Sequence, residues 1–247
     1  EISFAGGDDL KMAGWYVPPQ NGAIIILLHG YGGTRVGMRW HAEQLVDAGY
    51  GVLIYDERAS GESEGTYRSF GWEDASDVGG AVNFINAQTD ADQIGILGCS
   101  IGGQIALQGA AYYPKIGAVW ADGPSSITHE DYTPPSDFFS LLAKISGPIL
   151  DQLYVWHLDI ERPLPIVDIV GDIAPRPIML VGGGVPHPYF GTEEPRVNFY
   201  ASHAGGNAEI WMIEEAYHCD GPAKIPDEYR ARMLTFFDDA FGIFPEE

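Results

Sequence analysis

Apolar runs of strand length alternate with longer stretches of helical spacing along most of this chain. That pattern predicts a mostly parallel sheet covered by helices. The buried-strand candidates are Ile24 to Leu28, Val52 to Tyr55, Ile94 to Leu97, Ile116 to Ala121, Ile178 to Val181 and Glu209 to Ile213. Ahead of them, Ile2 to Phe4 and Leu10 to Val17 read as an antiparallel pair, joined by the turn residues Gly6-Gly7-Asp8-Asp9. Helical spacing covers about 37–48, 72–87, 101–112, 194–203 and 226–241. In the last of these, Tyr229, Met233, Phe237 and Phe241 recur every four residues and form one apolar face. Residues 124–177 break the rhythm with Pro and with aromatics such as Tyr132, Phe138, Phe139, Tyr154 and Trp156. They read either as a small helical cap over the sheet's carboxyl edge or as a packed excursion that never meets a substrate.

A length of 247 residues suits a single α/β domain over 1–247, with 124–177 as its insertion. Apolar content of 45% with 19% charged residues belongs to a globular chain rather than a disordered one. The net charge of −22 is the outlier, and it disfavours nucleic acid, anionic membranes and polyanionic substrates as partners. No stretch approaches the roughly 18–20 uninterrupted apolar residues of a membrane span. The sequence opens at Glu1 without a methionine or a signal-peptide pattern, so any address carried upstream of it is lost from this sequence.

Three segments carry candidate chemistry. Gly98-Cys99-Ser100-Ile101-Gly102 lies where a strand passes into a helix. A sharp turn there lifts a serine hydroxyl clear of the backbone, and small neighbours let the turn close. His29-Gly30-Tyr31-Gly32-Gly33 directly follows the first buried strand, so the Tyr31 amide can point into the same site. With the Ile101 amide at the helix start it forms a two-donor oxyanion hole; the plain alternative is an ordinary loop. His218 follows the last strand and precedes the last helix, a loop position that suits a general base. The other histidines (His29, His41, His129, His157, His187 and His203) have no partner at metal-ligand spacing, so surface, capping or core roles are expected for them, and serine-based hydrolysis calls for neither metal nor cofactor.

These motifs, with Tyr55-Asp56-Glu57-Arg58-Ala59-Ser60-Gly61-Glu62-Ser63, make the chain similar over its length to the α/β-hydrolase superfamily. Ala59 departs from the glycine that many relatives carry there. The resemblance implies an α/β-hydrolase fold with an eight-stranded, mostly parallel sheet, and a triad in the chain order serine, acid, histidine. In that family the acid usually follows the strand that is Ile178 to Val181 here. This chain instead continues Gly182-Gly183-Gly184-Val185-Pro186-His187, and the first acids beyond are Glu193 and Glu194. Glu194 is the expected acid, with Asp122 and then Glu193 as alternatives. A helix-start carboxylate that only complements the dipole is the bland reading of Glu194.

The chain's two cysteines, Cys99 and Cys219, each adjoin one of these catalytic candidates. If Ser100 and His218 meet within hydrogen-bond reach, their neighbours come within the span of a disulfide; two separate buried thiols are the alternative. The Cys-Ser…His-Cys arrangement is locally similar to one in the tannase and feruloyl esterase family, where such a bridge ties the two loops together. A bridge points to an oxidising, extracytoplasmic or secreted setting. The resemblance thus implies a serine carboxylic ester hydrolase, and the modest cap segment with its aromatic side chains points to short-chain or aryl esters. Alternatives are a feruloyl or tannin-type esterase, a peptidase or thioesterase, or a non-catalytic binding module of the same fold. The expected partner is a small-molecule ester, with the chain a monomer or small homo-oligomer.

Overall fold

The apolar runs become strands because they are rich in β-branched residues and covered on both faces. Ala23-Ile24-Ile25-Ile26-Leu27-Leu28, for example, is buried throughout. In the computed structural model, residues 1–89, 91, 93–187 and 191–243 are described. The strands are β1 (Ile2–Ala5), β2 (Lys11–Val17), β3 (Ala23–Leu28), β4 (Gly51–Tyr55), β5 (Gln93–Cys99), β6 (Ile116–Asp122), β7 (Ile178–Gly183) and β8 (Ala208–Ile213). They form one eight-stranded sheet in the order β1-β2-β4-β3-β5-β6-β7-β8. β2 pairs antiparallel with β1 and β4, and every other neighbour is parallel. This is the expected α/β-hydrolase architecture.

The helices are α1 (Arg39–Asp47), α2 (Asp74–Gln88), α3 (Ile101–Tyr112), α4 (Phe138–Leu158), α5 (Ile166–Ile169), α6 (Glu194–His203), α7 (Gly221–Lys224) and α8 (Pro226–Phe241). The period of two in a strand sorts side chains onto opposite faces. Ile24, Ile26 and Leu28 pack with α2 and α3 on one side, while Ile25 and Leu27 pack with Leu45, Met233 and Phe237 of α1 and α8 on the other. From β3 the chain turns outward to β4, then crosses back to β5 on the other side of β3. Ligands of open α/β sheets bind outside the carboxyl ends of strands at such a reversal. The loops after β3 and β5 are the ones that carry Tyr31 and Ser100.

The segment between β6 and β7 is not one cap. Residues up to about 165 hold the single long helix α4, but Ile166, Ile169, Val170 and Ile173 are buried in the main core beside α3. Their spacing of i, i+3, i+4 and i+7 is that of a helix face, which is why they fold back onto the sheet. α4 is fastened over this edge by a polar cluster. His129 Nδ1 lies 2.7 Å from Asp151 Oδ2 and 3.1 Å from Glu130 Oε2. Arg162 bonds both carboxylates, filling the position where a cation is needed. Lys144 Nζ adds bonds to the carbonyls of His129 and Tyr132 at 3.2 and 3.0 Å.

Candidate active site

Ser100 sits between the end of β5 and the start of α3 with φ 59° and ψ −118°, a strained conformation for a residue with a side chain. The flanking glycines make that turn possible. A Cβ on Gly98 would lie 2.1 Å from the Gly102 carbonyl oxygen, and one on Gly102 would lie 2.5 Å from that of Leu28. The Ser100 amide donates to the Asp122 carbonyl at 2.8 Å, fixing the turn against β6. The hydroxyl is left facing the loop after β8, where it donates to His218 Nε2 at 2.8 Å.

On the other side of the imidazole, Nδ1 bonds Glu193 Oε1. The acid beside the histidine is therefore Glu193; the expectation of Glu194 is corrected. Consecutive residues entering a helix project about 100° apart, so only one of the pair can face the imidazole. Glu194 is the first residue of α6 and is exposed. Glu193 precedes it and folds back onto the end of β7, its Oε2 accepting from the Gly183 amide at 2.7 Å. The chain after β7 thus loops out and returns to the strand end, delivering a carboxylate from ten residues downstream. Of that excursion, residues 188–190 lie outside the described residues.

Gly123 was not among the expected site residues, yet it makes this arrangement possible. It adopts φ +56°, and a Cβ there would lie 2.7 Å from His218 Nδ1 and 3.0 Å from Glu193 Oε1. Its place directly after a buried strand ending in Asp122 is the sequence signal for such a close approach. Gly183 serves similarly, since a Cβ on it would lie 2.6 Å from the Tyr217 carbonyl oxygen.

The electrostatics follow from these contacts. The bond to Glu193 raises the affinity of His218 for a proton; burial opposes this but does not cancel it. Burial alone would raise the Glu193 carboxyl, but the bonds from His218 and Gly183 outweigh it and hold the group below the usual glutamate range. Asp122, the other alternative acid, points elsewhere. It is buried and accepts from the Tyr229 hydroxyl at 2.7 Å, and that hydroxyl in turn accepts from Trp120 Nε1 at 3.0 Å. Burial pushes the Asp122 carboxyl up to about 6.

The loop after β3 lies against the serine. The space above Gly30 is so narrow that a Cβ there would be 3.3 Å from Ser100 Cβ. Among the hydrogen bonds of loops and helix ends in the described residues, none uses the Tyr31 or Ile101 amide. Ile101 follows Ser100 directly, and Tyr31 follows the Gly30 that lies against it. The Tyr31 ring stacks on Phe70 at 5.2 Å, Phe70 meets Tyr154 of α4 at 5.9 Å, and Tyr154 meets Trp72 at 5.1 Å. An aromatic strip thus runs from the loop after β3 up to α4. Of the cap aromatics named from the sequence, Tyr154 joins this strip, whereas Phe138, Phe139 and Trp156 are exposed.

Cys99 and Cys219 form a disulfide with their Cα atoms 6.0 Å apart. It ties the end of β5 to the residue after His218, so one crosslink joins the two loops that supply the serine and the imidazole. Ala59, where relatives favour glycine, adopts φ 54°, and its neighbour Arg58 grips Asp77 at 2.8 and 3.0 Å.

The fold and this serine–imidazole–carboxylate arrangement define an α/β-hydrolase. The profile of the family described as "Serine aminopeptidase, S33" matches residues 19–174, and the chain belongs to that family. An uncharacterised protein of Escherichia coli (strain K12), YfhR, is 24% identical over 98% of this chain and 81% of its own length. Among solved structures, the esterase Pf2001 of Pyrococcus furiosus superposes with a TM-score of 0.75 at 24% identity, covering 96% of this chain and 90% of that one. Est1E of Butyrivibrio proteoclasticus, solved with ferulic acid bound, gives a TM-score of 0.66 at 18% identity over 94% of this chain and 98% of its own. At these identities the structural likenesses establish the shared fold.

Proposed function

We propose that this hydrolase is a serine carboxylic ester hydrolase with Ser100 as nucleophile, His218 as general base and Glu193 as the orienting acid. The carrying observation is the continuous chain of bonds from the Ser100 hydroxyl to His218 Nε2 and from Nδ1 to Glu193. In the first step His218 takes the Ser100 proton as Oγ attacks the ester carbonyl. The Tyr31 and Ile101 amides stabilise the oxyanion that forms. The imidazolium returns the proton to the leaving alcohol, giving an acyl-enzyme. A water deprotonated by His218 then hydrolyses that ester and frees Ser100. Glu193 stays ionised throughout and stabilises the imidazolium of both half-reactions.

The Tyr31–Phe70–Tyr154–Trp72 strip supports a short acyl or aryl ester as substrate, since aromatic rings on the loop beside Ser100 offer stacking partners for a flat group. Ferulic acid bound to the structural neighbour Est1E fits the feruloyl-type variant of this reading. Turnover of p-nitrophenyl acetate, butyrate and octanoate, methyl ferulate and leucine p-nitroanilide tests it. The expected order puts acetate, butyrate or ferulate well above octanoate, with the anilide weakest and all activity lost in Ser100→Ala. Preference for the anilide would replace the esterase reading with the peptidase one that the family description suggests.

A further inference from the structure

Helix α4 is amphipathic the wrong way round. Its side toward the body carries Lys144, Gly147, Asp151 and Tyr154: Lys144 and Asp151 are bound to the His129 segment, and a Cβ on Gly147 would lie 2.3 Å from that of His129. Tyr154 packs on Trp72 and Phe70. At 100° per residue these four positions share one face. The centre of the opposite face carries Leu142, Ile145, Ile149, Leu153 and Trp156, which are 51%, 65%, 63%, 50% and 73% exposed, with Leu141 and Leu150 on its two flanks. Phe138 and Phe139 extend this apolar surface at the helix start, 72% and 79% exposed. An apolar helix stripe is normally the buried one.

We propose that this face of α4 is the interface of a two-fold dimer, in which the helix pairs antiparallel with the same helix of a second copy. The order of the residues supports that occupant. Leu142, Ile145, Ile149, Leu153 and Trp156 are spaced 7 and 4 residues before Ile149, and 4 and 7 after it. A seam symmetric about its own centre is what an isologous contact needs, because each residue must meet its mirror position on the partner. Ile149 then meets Ile149, Ile145 meets Leu153, and Leu142 meets Trp156.

Area and charge agree with this. The three exposed aromatics offer about 450 Å² and the four seam aliphatics about 200 Å² more. That exceeds the roughly 300–600 Å² patch of a typical monomer and gives a two-sided burial near the lower bound of specific interfaces, about 1,200 Å². The only Lys, Arg, Asp or Glu residues of α4 are Lys144 and Asp151, both turned inward. Two chains of charge −22 can therefore pair Leu142 to Trp156 without a carboxylate inside the seam, leaving the exposed Asp137, Asp159 and Glu161 at its two ends, whereas an anionic bilayer would repel the rest of the surface.

Sedimentation of the whole chain at 1–100 µM, in 0.15 and 0.5 M NaCl, tests the proposal. A dimer is expected, with Ile149→Glu weakening it about 100-fold or more because the substitution enters the seam twice as facing like charges. A second variant probes the register rather than the affinity. With both native cysteines in the Cys99–Cys219 bridge, oxidised Ile149→Cys should crosslink to its own copy. Ile145→Cys alone should not, but should crosslink when mixed with Leu153→Cys. A wild-type monomer at 100 µM overturns the proposal. So does a dimer that survives Ile149→Glu or gives no Ile149→Cys crosslink. A monomer that pellets with phosphatidylcholine vesicles also overturns it, making the strip a lipid-facing surface.

Discussion

The identity of the acid gives the sharpest single-residue prediction, because two adjacent glutamates must behave oppositely. In the proposed transition state His218 is an imidazolium bonded through Nδ1 to the Glu193 carboxylate. Two unit charges about 4 Å apart interact by about 4 kcal/mol at an effective dielectric of 20. The His218 side chain is 49% exposed, so solvent screens part of this, leaving about 2–4 kcal/mol. Converted to rate, Glu193→Gln should lower kcat about 30- to 1000-fold. Glu194→Gln removes an exposed carboxylate with no bond to the imidazole and should leave kcat within about 3-fold. The pH profile adds a check on cause. His218 must be neutral to act as base, so activity falls as pH drops through its pKa, which the bond to Glu193 raises. Removing the Glu193 charge lowers that pKa, and the acid limb of kcat/KM should move to lower pH in Glu193→Gln even as the plateau falls. Steady-state kinetics on p-nitrophenyl acetate over pH 4–9 measures both. Equal losses in the two variants, or an acid limb that stays put in Glu193→Gln, would refute the assignment.

Gly123→Ala places a methyl group where His218 Nδ1 and Glu193 Oε1 now lie, so kcat should fall by about 100-fold, the cost of an ångström-scale displacement, while circular dichroism at 25 °C stays native. Asp122→Asn tests the buried carboxylate that does not face His218: activity should stay within several-fold. Its folded pKa of about 6 lies above the usual aspartate value, so its ionisation costs stability as pH rises between about 4 and 6; melting curves should show the variant gaining on wild type at pH 7 relative to pH 4. Replacing Cys99 and Cys219 together by serine releases a closed loop spanning a sequence separation of 120, worth on the order of 4–5 kcal/mol in the chain-entropy account, and should lower Tm by roughly 10–20 °C. Equal melting temperatures with and without the bridge would remove its stabilising role.

Much of this was legible in the sequence because the signals are local. Ile24 to Leu28 and Ile178 to Val181 are apolar runs too short for helices, and the glycines around Ser100 mark a turn that only small residues close. What was not legible depends on where chain segments return. Glu193 and Glu194 are identical residues side by side, and only the path of the loop back to Gly183 decides which faces His218. α4 was not predicted as one helix because Gly147 and Pro148 interrupt it and its apolar positions do not face the core. The burial of Ile166, Ile169, Val170 and Ile173 had a readable signal in their spacing, hidden by the Pro-rich stretch just before them.

Every step of the proposed chemistry passes through one oxygen atom, Ser100 Oγ. Incubating the protein with a fluorophosphonate and mapping the adduct by tandem mass spectrometry tests it directly. One equivalent of label on the peptide carrying Ser100, absent in Ser100→Ala and strongly slowed in His218→Ala, is the expected result. An unlabelled wild type, or label that persists on Ser100→Ala, would contradict the account.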